Sequence, residues 1–199
     1  MIAEARTSTA SVDAAPKLSP IHERIVLCGF MGAGKTTAGR LLAAALGWAF
    51  LDLDEHIEAR TGESIASLFR TVGEERFRRI ESAALANALG QTATVIALGG
   101  GTPEALTNRL LLEQTPGTTT VFLDAPFPVL FDRCMLQTFA APENGRPLLA
   151  SPDEARARFT HRQPLYRGLA QHTVDVSEEA PDATSAAILT LLLPIGRRA

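Results

Sequence analysis

Lysine is nearly missing from this chain of 199 residues: of its 19 lysine and arginine residues, only Lys17 and Lys35 are lysine. The place of the one lysine outside the N-terminal stretch therefore carries weight. A basic excess is missing as well, since 22 acidic residues leave a formal net charge of -3. Phosphate polymers are normally met by a basic face, so nucleic acid is not an expected partner. The two cysteines, Cys28 and Cys134, stand far apart in apolar contexts, which excludes a disulfide scaffold and reads as two small buried hydrophobes in a reduced, cytoplasmic protein. No apolar stretch approaches the roughly 18 residues of a membrane span. Residues 1–22 lack the hydrophobic segment of a signal peptide and are expected to form a disordered tail.

What is present is ordinary globular material, 46% hydrophobic and 21% charged. A chain of this length buries roughly 70% of its unfolded surface and folds without a disulfide or a metal staple. From Arg24 onward, short β-type runs alternate with helical patterns, as in stacked βαβ units around a parallel sheet. Strands are expected at 24–28, 48–52, 94–98, 119–123 and 172–176. Helices are expected at 35–46, 54–60, 64–71, 74–89, after Pro103, and at 126–136, 152–162 and 182–193. Residues 137–145 are polar and loop-like. Residues 23–199 form one domain in this reading, with a mobile lid at about 137–147.

Directly after the first strand comes Gly29-Phe30-Met31-Gly32-Ala33-Gly34-Lys35-Thr36-Thr37, the phosphate-loop pattern in its strand-to-helix context. Its glycines let successive N–H groups face one anion, and the helix behind it adds the positive end of its dipole. Lys35 is placed to reach the β and γ phosphates of a nucleoside triphosphate and Thr36 to bind Mg²⁺. A GTPase is excluded, because its Asn-Lys-x-Asp base motif needs a lysine beyond position 35. Asp52 and Asp54 leave the second strand at the sheet's carboxyl end, where open parallel sheets bind ligands. One carboxylate suits water-mediated Mg²⁺ and the other an acceptor hydroxyl, with helix capping as the plain alternative. Gly99-Gly100-Gly101 lets a ligand approach backbone closely. Arg78, Arg146 and Arg162 supply forks for carboxylate or phosphate oxygens. With Lys35 they make an expected cationic pocket. Asp124, a single acid at a strand end, reads as a helix cap rather than a metal ligand.

Taken together, these segments resemble the shikimate kinase family of P-loop kinases. The matching runs are the phosphate loop, Asp52-Leu53-Asp54, Gly73-Glu74 with Phe77-Arg78-Arg79-Ile80-Glu81, Gly99-Gly100-Gly101, Arg146-Pro147-Leu148-Leu149 and Arg162-Gln163-Pro164-Leu165-Tyr166. The resemblance implies a three-layer α/β P-loop kinase fold, with a five-stranded parallel sheet, helices on both faces and a lid over ATP. It implies γ-phosphoryl transfer to the 3-hydroxyl of shikimate, in aromatic amino-acid biosynthesis, by a cytoplasmic monomer. It assigns ATP to Gly32, Ala33, Gly34, Lys35, Thr36, Thr37, Arg133 and Arg146, and Mg²⁺ to Thr36 and, through water, Asp52. Shikimate falls to Asp54, Arg78, Gly99, Gly100, Gly101 and Arg162. Lys35, Asp54 as base and Arg146 as lid arginine carry the chemistry. The chain departs from the family in its lid: the segment before Arg146 is lengthened and carries no basic residue, and Arg133 stands as the displaced counterpart of the arginine near adenine.

Overall fold

The computed structural model describes Leu18, residues 22–140 and residues 151–193. Five parallel strands run in the order β2-β3-β1-β4-β5: β1 is Arg24–Cys28, β2 Ala49–Asp52, β3 Thr94–Ala97, β4 Thr118–Asp124 and β5 His172–Asp175. The parallel sheet expected from the alternation, with the five strands that the family resemblance implies, is therefore present. β1 lies at its centre with Ile25, Val26, Leu27 and Cys28 all fully buried, as strands covered on both faces require. Both cysteines are buried and neither is in a disulfide, and the Cys28 thiol is pushed up to about 12 by burial.

Right-handed crossovers decide the layers. Helix α1, Lys35–Leu46, carries the chain from β1 towards β2, whereas α4, Leu106–Gln114, carries it from β3 back across β1 to β4. The two connections run in opposite directions along the sheet, so the helices lie on opposite faces. β1 thus sits where the strand order reverses, with β3 on one side and β4 on the other, which opens the ligand crevice at its carboxyl end.

α2 is Leu53–Thr61, α3 Ile65–Leu89, α5 Phe127–Ala140, α6 Pro152–Leu169 and α7 Pro181–Leu192. Among the described residues no helix is long and apolar enough to cross a membrane. α3 is broken at Gly73, whose φ of 76° and ψ of 166° separate it into the two expected helices. Trp48 does not begin β2, because its N–H donates to the Ala43 carbonyl (2.9 Å) and closes α1. α5 runs four residues past the expected Leu136 and takes in the start of the expected lid; residues 141–150, with Arg146, lie outside the described residues.

Helix α6 is the larger departure. It does not stop at Arg162 but continues through Pro164 to Leu169. Proline removes one backbone bond, yet continuing the helix buries Arg162, Tyr166 and Leu169 along one face, and that burial prevails. Arg162 and Tyr166 thereby stand one turn apart, facing the same way. Asp124 does not cap a helix: it accepts from Gln163 Nε2 (3.3 Å) and Arg167 Nη2 (3.0 Å), tying β4 to α6.

Candidate active site

Three strand ends build the site. After Cys28 the chain curls through the phosphate loop and enters α1 at Gly34, whose φ of 81° is the left-handed conformation that glycine adopts without cost. Lys35 folds back over this loop, its Nζ donating to the carbonyls of Gly29 (2.9 Å) and Phe30 (3.1 Å). Those bonds tie the ammonium to the backbone of the loop. Thr36 Oγ1 donates to Asp52 Oδ2 at 2.7 Å.

Asp52 stands at the end of β2 and serves two partners. Oδ1 caps α2 by accepting from the N–H groups of Asp54 (3.1 Å) and Glu55 (3.4 Å), while Oδ2 holds the Thr36 hydroxyl. The cap reading and the phosphate-loop reading of this residue are thus both realised. Two hard oxygens side by side at the mouth of the loop suit a hard cation that keeps most of its shell as water and phosphate.

Asp54 lies one step further and meets the third strand end. A Cβ on Gly99 would stand 2.5 Å from Asp54 Oδ1, so the absence of a side chain there is what admits the carboxylate. Burial, seconded by the charges of Asp52 and Glu81, pushes the Asp54 carboxyl up to about 6 against the opposing pull of Lys35. A carboxyl in that range can hold or give up a proton near neutral pH.

The other two glycines meet the two arginines. A Cβ on Gly101 would lie 2.6 Å and 2.7 Å from the terminal nitrogens of Arg78, and one on Gly100 would lie 3.6 Å from Arg162 Nη1. Tyr166 completes the wall, its hydroxyl donating to the Gly100 carbonyl at 2.5 Å. Asp54, Arg78 and Arg162, which lie far apart in sequence, therefore converge on one glycine triplet. Arg133, on α5, donates to the Ser177 carbonyl (3.1 Å) and lines, with Gly32, Gly34 and Thr37, a cavity of about 150 Å³ beside the phosphate loop.

Two carboxylates that sequence reading left without a role are built into this wall. Glu81, almost fully buried, accepts from Thr102 Oγ1 (2.8 Å) and Arg78 Nη1 (2.9 Å). Its spacing three residues from Arg78 on a helix was a usable signal. Glu104 accepts from Arg162 Nε (3.0 Å) and Nη2 (3.2 Å) and from Arg78 Nη2 (3.0 Å). Burial works against the Arg78 charge, but Glu81, Glu104 and Glu74 outweigh it and hold its pKa above the ordinary value. Burial likewise disfavours the Glu104 carboxylate, and Arg162, with Arg78, more than compensates and holds its pKa below the usual range. The expected cationic pocket is therefore corrected: Arg78 and Arg162 are matched by carboxylates.

A family model described as shikimate kinase matches residues 31–193. The chain belongs to the shikimate kinase family. Members of this family are ATP-dependent kinases, which accounts for the phosphate loop. The shikimate kinase of Mycobacterium avium (strain 104) is 42% identical over 172 residues, which cover 85% of this chain and 93% of that protein. The solved structure of the Acinetobacter baumannii shikimate kinase in complex with shikimate superposes with a TM-score of 0.77 at 37% identity, over 85% of this chain and 92% of that one. A gluconokinase from Sinorhizobium meliloti reaches a TM-score of 0.56 at 21% identity over 86% of this chain and 94% of its own, a likeness of fold alone. The shikimate kinase match takes in the glycine triplet and every residue that converges on it.

Proposed function

We propose that this shikimate kinase family member transfers the γ-phosphoryl group of ATP to the 3-hydroxyl of shikimate, feeding the chorismate and aromatic amino-acid pathway, and that the residues above divide the work. The observation that carries the reading is the convergence of one carboxyl and two guanidinium groups on Gly99-Gly100-Gly101, a seat for a small hydroxylated carboxylate. Arg78 and Arg162 hold the acceptor carboxylate with charge-assisted forks. Asp54 orients the ring hydroxyls and takes the proton of the attacking one. Its raised pKa suits that transfer, since a base of ordinary acidity would hold the proton more weakly.

Gly32, Ala33, Gly34, Thr36 and Thr37 present backbone and hydroxyl donors to the phosphates, and Lys35 swings from the Gly29 and Phe30 carbonyls onto the β and γ phosphates. Arg133 borders the nucleoside end of the cleft, and Arg146 supplies the lid arginine that stabilises the transferring group. Thr36 and, through water, Asp52 would hold Mg²⁺, which supplies charge neutralisation on the phosphates. In this proposal residues 23–199 form one domain that works as a cytoplasmic monomer, with 1–22 as a tail and about 137–147 as lid. A coupled assay of ADP release is the test: Mg-ATP turnover that depends on shikimate is expected, and turnover that shikimate does not change refutes the reading.

A further inference from the structure

Glu104 occupies the two arginine forks as a bound carboxylate would. Its Oε1 takes Arg162 Nε, and its Oε2 is shared between Arg162 Nη2 and Arg78 Nη2, all at 3.0–3.2 Å. The backbone beneath it is fixed. Residues Thr102–Glu104 form a 3-10 turn closed by a bond from the Glu104 N–H to the Gly101 carbonyl (2.9 Å), and Arg109 Nη1 donates to the Glu104 carbonyl at 3.0 Å. Only rotation of the side chain can take this carboxylate off the arginines.

The two carboxylates of the wall are not equivalent. The Glu81 side chain is 2% exposed and is also anchored by Thr102, which makes it a permanent partner of Arg78. The Glu104 side chain is 25% exposed, whereas that of Arg162 is 6% exposed, so Glu104 stands on the water side of the guanidinium that it covers. Charge points the same way. Arg78 and Arg162 bring two positive charges, and the shielded carboxylates Glu81 and Glu104 cancel them, while Glu74, 3.3 Å from Arg78 and 64% exposed, adds a third carboxylate that water screens. A ligand carboxylate added to this set has no surplus cation to meet until Glu104 turns out to water.

We infer that Glu104 is an internal occupant of the acceptor's carboxylate seat, which the carboxylate of the acceptor displaces from Arg78 and Arg162, and that it thereby sets the affinity for the acceptor. The inference rests on the proposed role of those two arginines. The decisive change is Glu104→Gln, which keeps the shape and removes the charge that competes. Calorimetric titration with shikimate is expected to show binding tighter by about tenfold, the order expected when one charge-assisted pair no longer has to be broken. The KM for shikimate falls with it and kcat does not rise. Glu104→Asp, one methylene short of spanning both forks, keeps the charge balance and is expected to shift affinity in the same direction by less. A carboxylate that merely props up the arginines gives the opposite sign. Weaker or unchanged shikimate binding in both variants, in a wild type that turns shikimate over, overturns the inference and leaves the proposed function standing. A wild type that neither binds nor phosphorylates shikimate overturns both.

Discussion

Replacing Asp54 by asparagine separates what the site costs the fold from what it does chemically. Burial, with the charges of Asp52 and Glu81, moves this carboxyl from 3.8 to about 6. A carboxyl that ionises less readily in the fold than in the unfolded chain destabilises the fold once it is ionised. Below about pH 4 both states keep the proton and the penalty is absent; it grows between about pH 4 and 6 and is complete above that. A shift of this size corresponds to about 3 kcal/mol, and the remaining contact of the group with water brings the expected value to roughly 1–3 kcal/mol.

Asparagine has nearly the same shape and never ionises. Asp54→Asn is therefore expected to melt above wild type at about pH 8, by roughly 3–8 °C for a domain of this size, with the gain vanishing towards about pH 4. Its kcat falls by about 10²–10⁴ while ATP still binds. In wild type the acid limb of kcat/KM is expected near pH 6, where burial places this carboxyl. Calorimetric melts of the ligand-free proteins across that range, beside the coupled assay, read both effects. A melting difference that does not change with pH removes the strained carboxyl, and a near-normal kcat removes the base.

Lys35→Ala is expected to lower turnover by about 10²–10³ or more with only a small change in melting temperature, because in the ligand-free protein its ammonium bonds to two carbonyls of the loop and the core strands are untouched by the change; a large loss of stability contradicts this. The glycine triplet divides by kinetic constant. Gly99→Ala puts a methyl 2.5 Å from Asp54 Oδ1 and is expected to lower kcat, whereas Gly101→Ala puts one 2.6 Å from Arg78 Nη2 and is expected to raise the shikimate KM by about tenfold, leaving that for ATP nearly unchanged. Arg78 cannot step aside easily, since Glu74, Glu81 and Glu104 hold it on three sides. Equal effects of the two substitutions on both constants argue against this division.

The sheet was legible because its central strands are continuous apolar runs, and the phosphate loop because backbone geometry demands its glycines in order. The break at Gly73 could be read for the same reason: a local conformational need leaves a local mark. What could not be read was non-local. Helix α6 passes through Pro164 because burying Arg162, Tyr166 and Leu169 outweighs one lost backbone bond, and that balance depends on packing partners elsewhere in the chain. Glu104 lies 58 residues from Arg162, and nothing in Thr102-Pro103-Glu104 announces that its carboxylate will span two guanidinium groups. Asp124 looked like a cap since a strand end followed by Ala-Pro is a usual place for one; its actual partners, Gln163 and Arg167, belong to the stretch of α6 that the sequence seemed to end.

The pairing of every arginine at the glycine triplet with a carboxylate bears on why such a site is not simply positive. Buried guanidinium groups without partners would each carry a large desolvation cost, which Glu81 and Glu104 offset while fixing the direction of the forks. An unopposed cationic seat would also bind acceptor and phosphorylated product alike, since the carboxylate is the same in both. Binding that is equal in ground and transition states does not raise kcat, and it slows release of the product. In the proposed mechanism a wall with one displaceable carboxylate holds the acceptor by exchange instead, and the cation that acts on the transferred group is Lys35, which in the ligand-free protein donates to the Gly29 and Phe30 carbonyls.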